Sequence, residues 1–296
     1  MSASRGLTRR ALIAGGLGLA ASGLAACGAD AFASSSLSTQ ERRPPPLGPS
    51  PGVGAWQGKV VSKSLADSGA RWYYTWTPDH EGIDTPDGCE FVPMIWGRRD
   101  LTDDALRRAK SNGTVLLGFN EPDVLSQADM SVEAALEAWP RLQQTGLPLG
   151  APAVASLGDV SGKWLDLFMS GARSRGYRVD FIPLHWYLSP ALRQDFSITA
   201  AVDDLRRYLE AVHDRYGLPL WLTEFSLITY QDGAHVMKPQ VQADFLAAAA
   251  AMMTTLPYLQ RWAWFSLPPW PEGPDTALYD ADGQITAVGE QFRAIS

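Results

Sequence analysis

Two glutamates in this chain each close a short apolar run: Val115-Leu116-Leu117-Gly118-Phe119-Asn120-Glu121 and Leu220-Trp221-Leu222-Thr223-Glu224. A carboxylate at the exit of a buried strand is unfavourable unless it is paired or used, because desolvating a charge is costly. The two lie 103 residues apart, so they meet only if both runs enter one sheet or barrel. Two carboxylates facing one cleft are what cleavage of a glycosidic bond requires. One donates a proton to the leaving oxygen, and the other attacks the sugar or activates water. The plainer alternative for either is a salt-bridged group at a barrel mouth.

Eight short apolar runs are present to position them, at 53–56, 71–76, 91–96, 115–120, 147–153, 181–187, 218–225 and 261–267. Helical patterns fall between them. Thr102 caps a helix with Asp103 and Asp104 in its first turn and Arg107, Arg108 and Lys110 near its end, stopping at Gly113. Val202, Leu205, Leu209, Val212 and Tyr216 mark one face of a second, which stops at Gly217. Val241, Phe245, Ala248 and Met252 mark a third. Eight strands alternating with helices predict an α/β fold, a single (β/α)8 TIM barrel with its chemistry at the carboxyl ends of the strands.

The expected organisation is a signal peptide with a lipobox over 1–27, a flexible Ser/Pro/Gly linker over 28–51, and the barrel over 52–296. Thr8-Arg9-Arg10-Ala11-Leu12 resembles a twin-arginine export motif, and Leu24-Ala25-Ala26-Cys27 resembles a bacterial lipobox that would place a lipid on Cys27. The chain is therefore expected to be exported, then anchored by lipid at the cell surface or secreted. Cleavage after Ala26 removes three arginines and no acid, taking the net charge from −7 to −10. No basic run follows, which argues against nucleic acid. The two cysteines, Cys27 and Cys89, build no disulfide framework. His80, His185, His213 and His235 lack metal-ligand spacing, so neither metal nor cofactor is expected. Eleven Trp, nine Tyr and ten Phe, many at strand ends, suit stacking on sugar faces as well as core packing.

Six segments in order carry a resemblance: Trp72-Tyr73-Tyr74-Thr75-Trp76, Phe91-Val92-Pro93-Met94-Ile95-Trp96-Gly97, Gly118-Phe119-Asn120-Glu121-Pro122-Asp123, Asp180-Phe181-Ile182-Pro183-Leu184-His185-Trp186-Tyr187, Trp221-Leu222-Thr223-Glu224-Phe225 and Trp262-Ala263-Trp264-Phe265. Over 52–296 the chain resembles glycoside hydrolase family 128, β-1,3-glucanases with an alkali-sensitive-linkage-protein-like catalytic core. The resemblance implies a retaining endo-β-1,3-glucanase with Glu121 on strand four as acid/base and Glu224 on strand seven as nucleophile. Glu121 must then hold a proton near neutral pH, which burial and the nearby negative charge favour.

Asn120 would bind the sugar 2-hydroxyl, or cap a turn. Strand alternation puts His185 and Tyr187 on the cleft face and Trp186 away from it, although an early strand end would bring Trp186 to the cleft floor. Tyr74 joins the expected sugar contacts, and Trp76, Trp96 and Trp264 are candidate stacking platforms or, more plainly, plugs of the barrel top. Asp123 orients a loop or touches sugar. Two departures from the family pattern are Thr75, where Asn is common, and the segment Pro268-Pro269-Trp270-Pro271. The expected partner is a β-1,3-glucan chain, with no nucleic acid, membrane contact only through the lipid, and a monomeric state. The competing readings are a non-catalytic glucan-binding cell-envelope protein on the same scaffold, and a retaining hydrolase of another β-glycan.

Overall fold

Apolar runs become parallel strands here because both of their faces are covered, one by helices and one by a second buried apolar cluster. The computed structural model describes residues 48–230, 232–269 and 275–296. The signal peptide, Cys27, most of the 28–51 linker and Trp270-Pro271 lie outside the described residues. The strands are β1 (Ser50–Gly54), β2 (Trp72–Tyr74), β3 (Glu90–Phe91), β4 (Ile182–Tyr187), β5 (Leu220–Ser226), β6 (Ile228–Thr229), β7 (His235–Val236) and β8 (Leu259–Trp264). Six of them form a parallel sheet in the order β3-β2-β1-β8-β5-β4, while β6 and β7 make an antiparallel hairpin. β1 takes in the last two residues of the stretch read as linker.

The runs at 115–120 and 147–153 join this sheet through isolated parallel bridges rather than continuous ladders. Met94 pairs with Leu117, Leu116 with Leu149, Asn120 with Ala153, Gly150 with Phe181 and Val154 with Leu184. Proline explains the interruption. Pro93, Pro148 and Pro152 have no N–H to donate, so the ladder breaks wherever one of them occupies a donor position. The bonds that remain are sound: Leu117 N to Pro93 O at 3.0 Å, Ala153 N to Phe119 O at 2.8 Å, and Ala151 N to Phe181 O at 2.9 Å.

The helices are α1 (Val61–Ser68), α2 (Asp103–Asn112), α3 (Val132–Gln143), α4 (Trp164–Ser174), α5 (Pro190–Gln194), α6 (Ile198–Tyr216), α7 (Pro239–Met253) and α8 (Ala287–Ile295). Their apolar faces cover the outer side of the sheet: Leu205, Leu209 and Val212 of α6, Phe245 and Leu246 of α7, and Phe168 of α4 are fully buried. The inner face carries a second cluster that includes Trp72, Tyr74, Val92, Met94, Leu117, Phe181, Trp221 and Phe265. Away from the strand ends that carry the glutamates, Arg261 pairs with Glu90 at 2.7 Å and lies 4.1 Å over the Trp221 ring.

Helix boundaries follow the local chemistry. Thr102 accepts the Ala105 N–H at 3.1 Å as N-cap of α2, and Gly217 closes α6 at a left-handed φ of 64°. Replacing Thr102 by Ala removes the cap and is expected to cost about 1 kcal/mol. A lowered urea midpoint with unchanged slope would register that loss. An unshifted midpoint would mean the α2 N–H groups find other partners.

Candidate active site

A parallel strand sends successive side chains to opposite faces, so an uninterrupted β5 with Trp221 inside would also turn Glu224 toward the helices. The register with β4 shows why it does not. Trp221 faces Pro183 and Leu222 faces Leu184, but Glu224 faces His185 and Phe225 faces Trp186. Thr223 is the extra residue of a β-bulge, and it rotates Glu224 back to the inner face. Its hydroxyl donates to Leu184 O at 3.2 Å, and its carbonyl accepts from the Tyr74 hydroxyl at 3.0 Å.

Glu224 is fully buried and surrounded by donors. Trp76 Nε1 donates to Oε1 at 2.8 Å, the Tyr74 hydroxyl lies 3.3 Å from the same oxygen, and the Tyr187 hydroxyl donates to Oε2. Donors on both oxygens suit an ionised carboxylate fixed in orientation. Trp76 reaches it because β1 presents glycine on its inner face. A Cβ on Gly54 would lie 2.5 Å from the Trp76 ring, and one on Gly52 2.3 Å from Trp72.

Glu121 stands where the chain leaves the run at 115–120. Its N–H bonds to Ala153 O at 2.7 Å, and its φ of 43° is left-handed. A non-glycine residue held there stores strain of order 1–3 kcal/mol, which surrounding structure must impose. Its Oε1 lies 2.8 Å from His185 Nδ1, while His185 Nε2 lies 3.5 Å from Glu224 Oε1. One imidazole thus spans both carboxylates, and ligand atoms of the three residues all lie within 4.8 Å of one another. Such a set has the composition of a cation site. However, both Glu224 oxygens already accept protein N–H and O–H donors, which a cation would have to displace.

Of the other expected residues, Asn120 is buried beside Glu121, and its Oδ1 has no partner among the described residues. Tyr74, His185 and Tyr187 converge on the glutamates, and Trp96 is half-buried at the inner rim. Trp76 is in the site as a hydrogen-bond donor rather than as an open platform. Two candidate sugar contacts are corrected, Trp186 and Trp264; for Trp186 the strand alternation holds and the early strand end does not. Trp186 faces outward, stacked on Phe245 at 5.5 Å and bonded to Asp204. Trp264 is fully buried against Phe225 with its Nε1 on Thr276 O, because alternation along β8 gives the cleft face to Phe265 instead. Thr75 is also buried, bonding Asp79 O at 2.6 Å, and so shapes its own loop.

Asp123 Oδ1 accepts the Ala155 N–H at 3.0 Å, tying together the two loops beyond the bridged runs. Although the side chain reaches solvent, desolvation among those loops pushes its carboxyl above the ordinary value, opposed by that N–H. Three aromatics escaped the sequence reading. Trp56 and Phe265 touch Trp76 at 5.8 and 5.9 Å, and Tyr230 meets Tyr187 edge-on at 5.0 Å. Trp56 and Phe265 had a signal, since Trp56 ends the run at 53–56 and Phe265 alternates with Trp264 within the run at 261–267. Tyr230 sits on the β6–β7 hairpin, whose two-residue strands leave almost no pattern.

Residues 53–292 match the family described as glycosyl hydrolase catalytic core. A family 128 (subgroup I) endo-β-1,3-glucanase from Amycolatopsis mediterranei, solved with laminaritriose, is 50% identical over 84% of this chain and 100% of that one, at a TM-score of 0.78. The chain belongs to glycoside hydrolase family 128. That Amycolatopsis relative has also been solved as variants at two different glutamates, with laminarioligosaccharides bound. A more distant family 128 member (subgroup III) from Blastomyces gilchristii, a curdlan-specific exo-β-1,3-glucanase, is 25% identical over 83% of this chain and 98% of that one, at 0.64. Alkali-sensitive linkage protein 1 of Schizosaccharomyces pombe is 29% identical over 244 residues, which is 78% of this chain but only 41% of that protein. The family 128 chain described here is thus a glycoside hydrolase, and its paired glutamates stand in the setting such an enzyme needs.

Gly54→Ala tests the support of Glu224 from outside the cluster. Displacing the Trp76 ring removes a charged hydrogen bond, so hydrolytic kcat/KM should fall about ten- to a hundredfold with folding intact by circular dichroism. Trp76→Phe should match it. Wild-type rates in both would show that this N–H does not serve Glu224.

Proposed function

We propose that this chain is a retaining endo-β-1,3-glucanase. The observation that carries the proposal is the approach of the Glu121 and Glu224 carboxylates to within 4.8 Å, bridged by His185. Retaining enzymes hold their carboxyl groups about 5–5.5 Å apart, whereas inverting ones need about 6.5–9.5 Å to admit a water. The substrate and the internal mode of cleavage draw support from the subgroup I relative.

In the first step Glu224, held by Trp76 and Tyr187, attacks the anomeric carbon as Glu121 protonates the departing glycosidic oxygen. His185 Nδ1 meets Oε1 of Glu121 and so orients the carboxyl that delivers the proton. In the second step the Glu121 carboxylate takes a proton from water, which attacks the same carbon and releases Glu224. Asn120, whose buried Oδ1 has no partner among the described residues, is the acceptor for a substrate hydroxyl.

We also infer that the six-stranded sheet and the two bridged runs close into one (β/α)8 barrel. The bridges from Met94 to Leu117, from Leu116 to Leu149 and from Gly150 to Phe181 support this by joining β3 to β4 the long way round. Export and lipid anchoring through Cys27 rest on the sequence of residues 1–27. Cys27→Ser should release the protein from the membrane fraction, and unchanged membrane retention would count against a lipid there.

An NMR time course on a linear β-1,3-glucan oligosaccharide tests the reaction. The expected first product is the β-anomer, released by internal cleavage. Initial α-anomer would remove Glu224 as nucleophile, and binding without cleavage would favour a glucan-binding protein. Glu224→Gln should abolish turnover and keep oligosaccharide binding. Glu121→Ala should lower the rate on natural glucan about 10²–10⁴-fold and spare the first step on substrates with activated leaving groups. Equal losses on both would deny Glu121 the acid role.

A further inference from the structure

We propose that a second carbohydrate pocket lies beside the cleft, between α5 and the β6–β7 hairpin, and binds one glucosyl unit of the polymer. The identity of that sugar rests on the β-1,3-glucanase reading. A cavity of about 450 Å³ is lined by Pro190, Arg193 and Gln194 on one side and Thr229, Asp232 and His235 on the other. That volume falls within the roughly 300–1,000 Å³ of small-ligand sites and is ample for a pyranose ring.

The lining points to a neutral polyol. Arg193 and Asp232 border the same space without pairing with each other, and neither forms an ion pair among the described residues. An anion entering the cavity meets the Asp232 carboxylate, and a cation meets the Arg193 guanidinium. A ring bearing several hydroxyls uses both, since each hydroxyl donates and accepts. The Gln194 amide and His235 imidazole extend the same mixed character. Thr229 adds an independent observation: it is 1% exposed, and its buried hydroxyl has no hydrogen-bond partner among the described residues. Such an atom carries an unrelieved desolvation penalty, which a ligand hydroxyl would remove.

Position links this pocket to the polymer in the cleft. α5 begins three residues after Tyr187, and the hairpin follows directly on the strand of Glu224. Tyr230, next to Thr229, packs on Tyr187, which donates to Glu224. One hairpin therefore forms a wall of the pocket and a wall of the cleft. The glucosyl unit has two possible sources, a distal unit of the main chain or a side branch linked through O6.

The test compares Arg193→Ala, Asp232→Ala and Thr229→Val on a linear β-1,3-glucan oligosaccharide and on the same chain bearing one 6-O-glucosyl branch. Loss of one charged hydrogen bond predicts about a tenfold rise in KM for the first two variants, with a smaller rise for the third. A rise on both substrates assigns the pocket to a main-chain unit, and a rise confined to the branched one assigns it to a side branch. Unchanged KM in all three variants on both substrates overturns the pocket. If the wild type cleaves neither substrate, the glucanase reading fails separately. The pocket is then decided by titrating wild type and Arg193→Ala with laminaribiose by NMR: shifts lost in the variant sustain it, and identical shifts refute it.

Discussion

The one-residue offset at Thr223 decides whether this molecule has a working cleft. Side-chain direction along a strand is a parity, and parity admits no small corrections. Without the bulge, Glu224 would press a carboxylate into the apolar layer beneath α7, and Phe225 would fill the cleft. The offset is held from two sides, by the Thr223 hydroxyl on Leu184 O and by the Tyr74 hydroxyl on the Thr223 carbonyl. Tyr74 also reaches Glu224 itself. The residue that secures the backbone irregularity thus shares in orienting the carboxylate that the irregularity exposes.

The rest of the inner surface follows from filling the space around that carboxylate. β1 contributes glycine where Trp72 and Trp76 need room, β2 contributes the Tyr74 hydroxyl, and β4 contributes His185 and Tyr187. Glu121 is handled differently. It has His185 as its partner and a left-handed backbone that turns it across the cleft. The two carboxylates meet through one imidazole because β4 lies between their strands in space, not because they are near in sequence.

Much of this was legible beforehand, and the failures have physical causes. The apolar runs, the Thr102 cap and the Gly217 stop were readable because burial and capping are local. Period-2 reading also placed His185, Tyr187 and Trp186 on their true faces. The same parity, applied to β8, would have turned Trp264 outward to the helices and put Phe265 in the cleft. The bulge at Thr223 was invisible, since its evidence is a register with another strand. Two expected strands proved to be proline-broken bridges because a missing donor matters only once its acceptor is known. The role of Trp76 as a hydrogen-bond donor depended on Gly54 of the neighbouring strand β1, which is adjacent only in space.

Those prolines divide the molecule mechanically. On the side of β1, β8, β5 and β4 the strands pair in ladders of several residues, offset only at register shifts such as the one at Thr223, and Glu224 rides on that part of the sheet. Glu121 rides on the arc where Pro93, Pro148 and Pro152 have removed donors, so its backbone is tethered by fewer bonds. A nucleophile must meet one carbon along one line and gains from rigidity. An acid that later serves as a base must address first a departing oxygen and then an arriving water, at slightly different places. In the proposed mechanism, the distribution of proline sets the nucleophile Glu224 and the acid/base Glu121 on differently paired parts of the sheet, each suited to its half of the reaction.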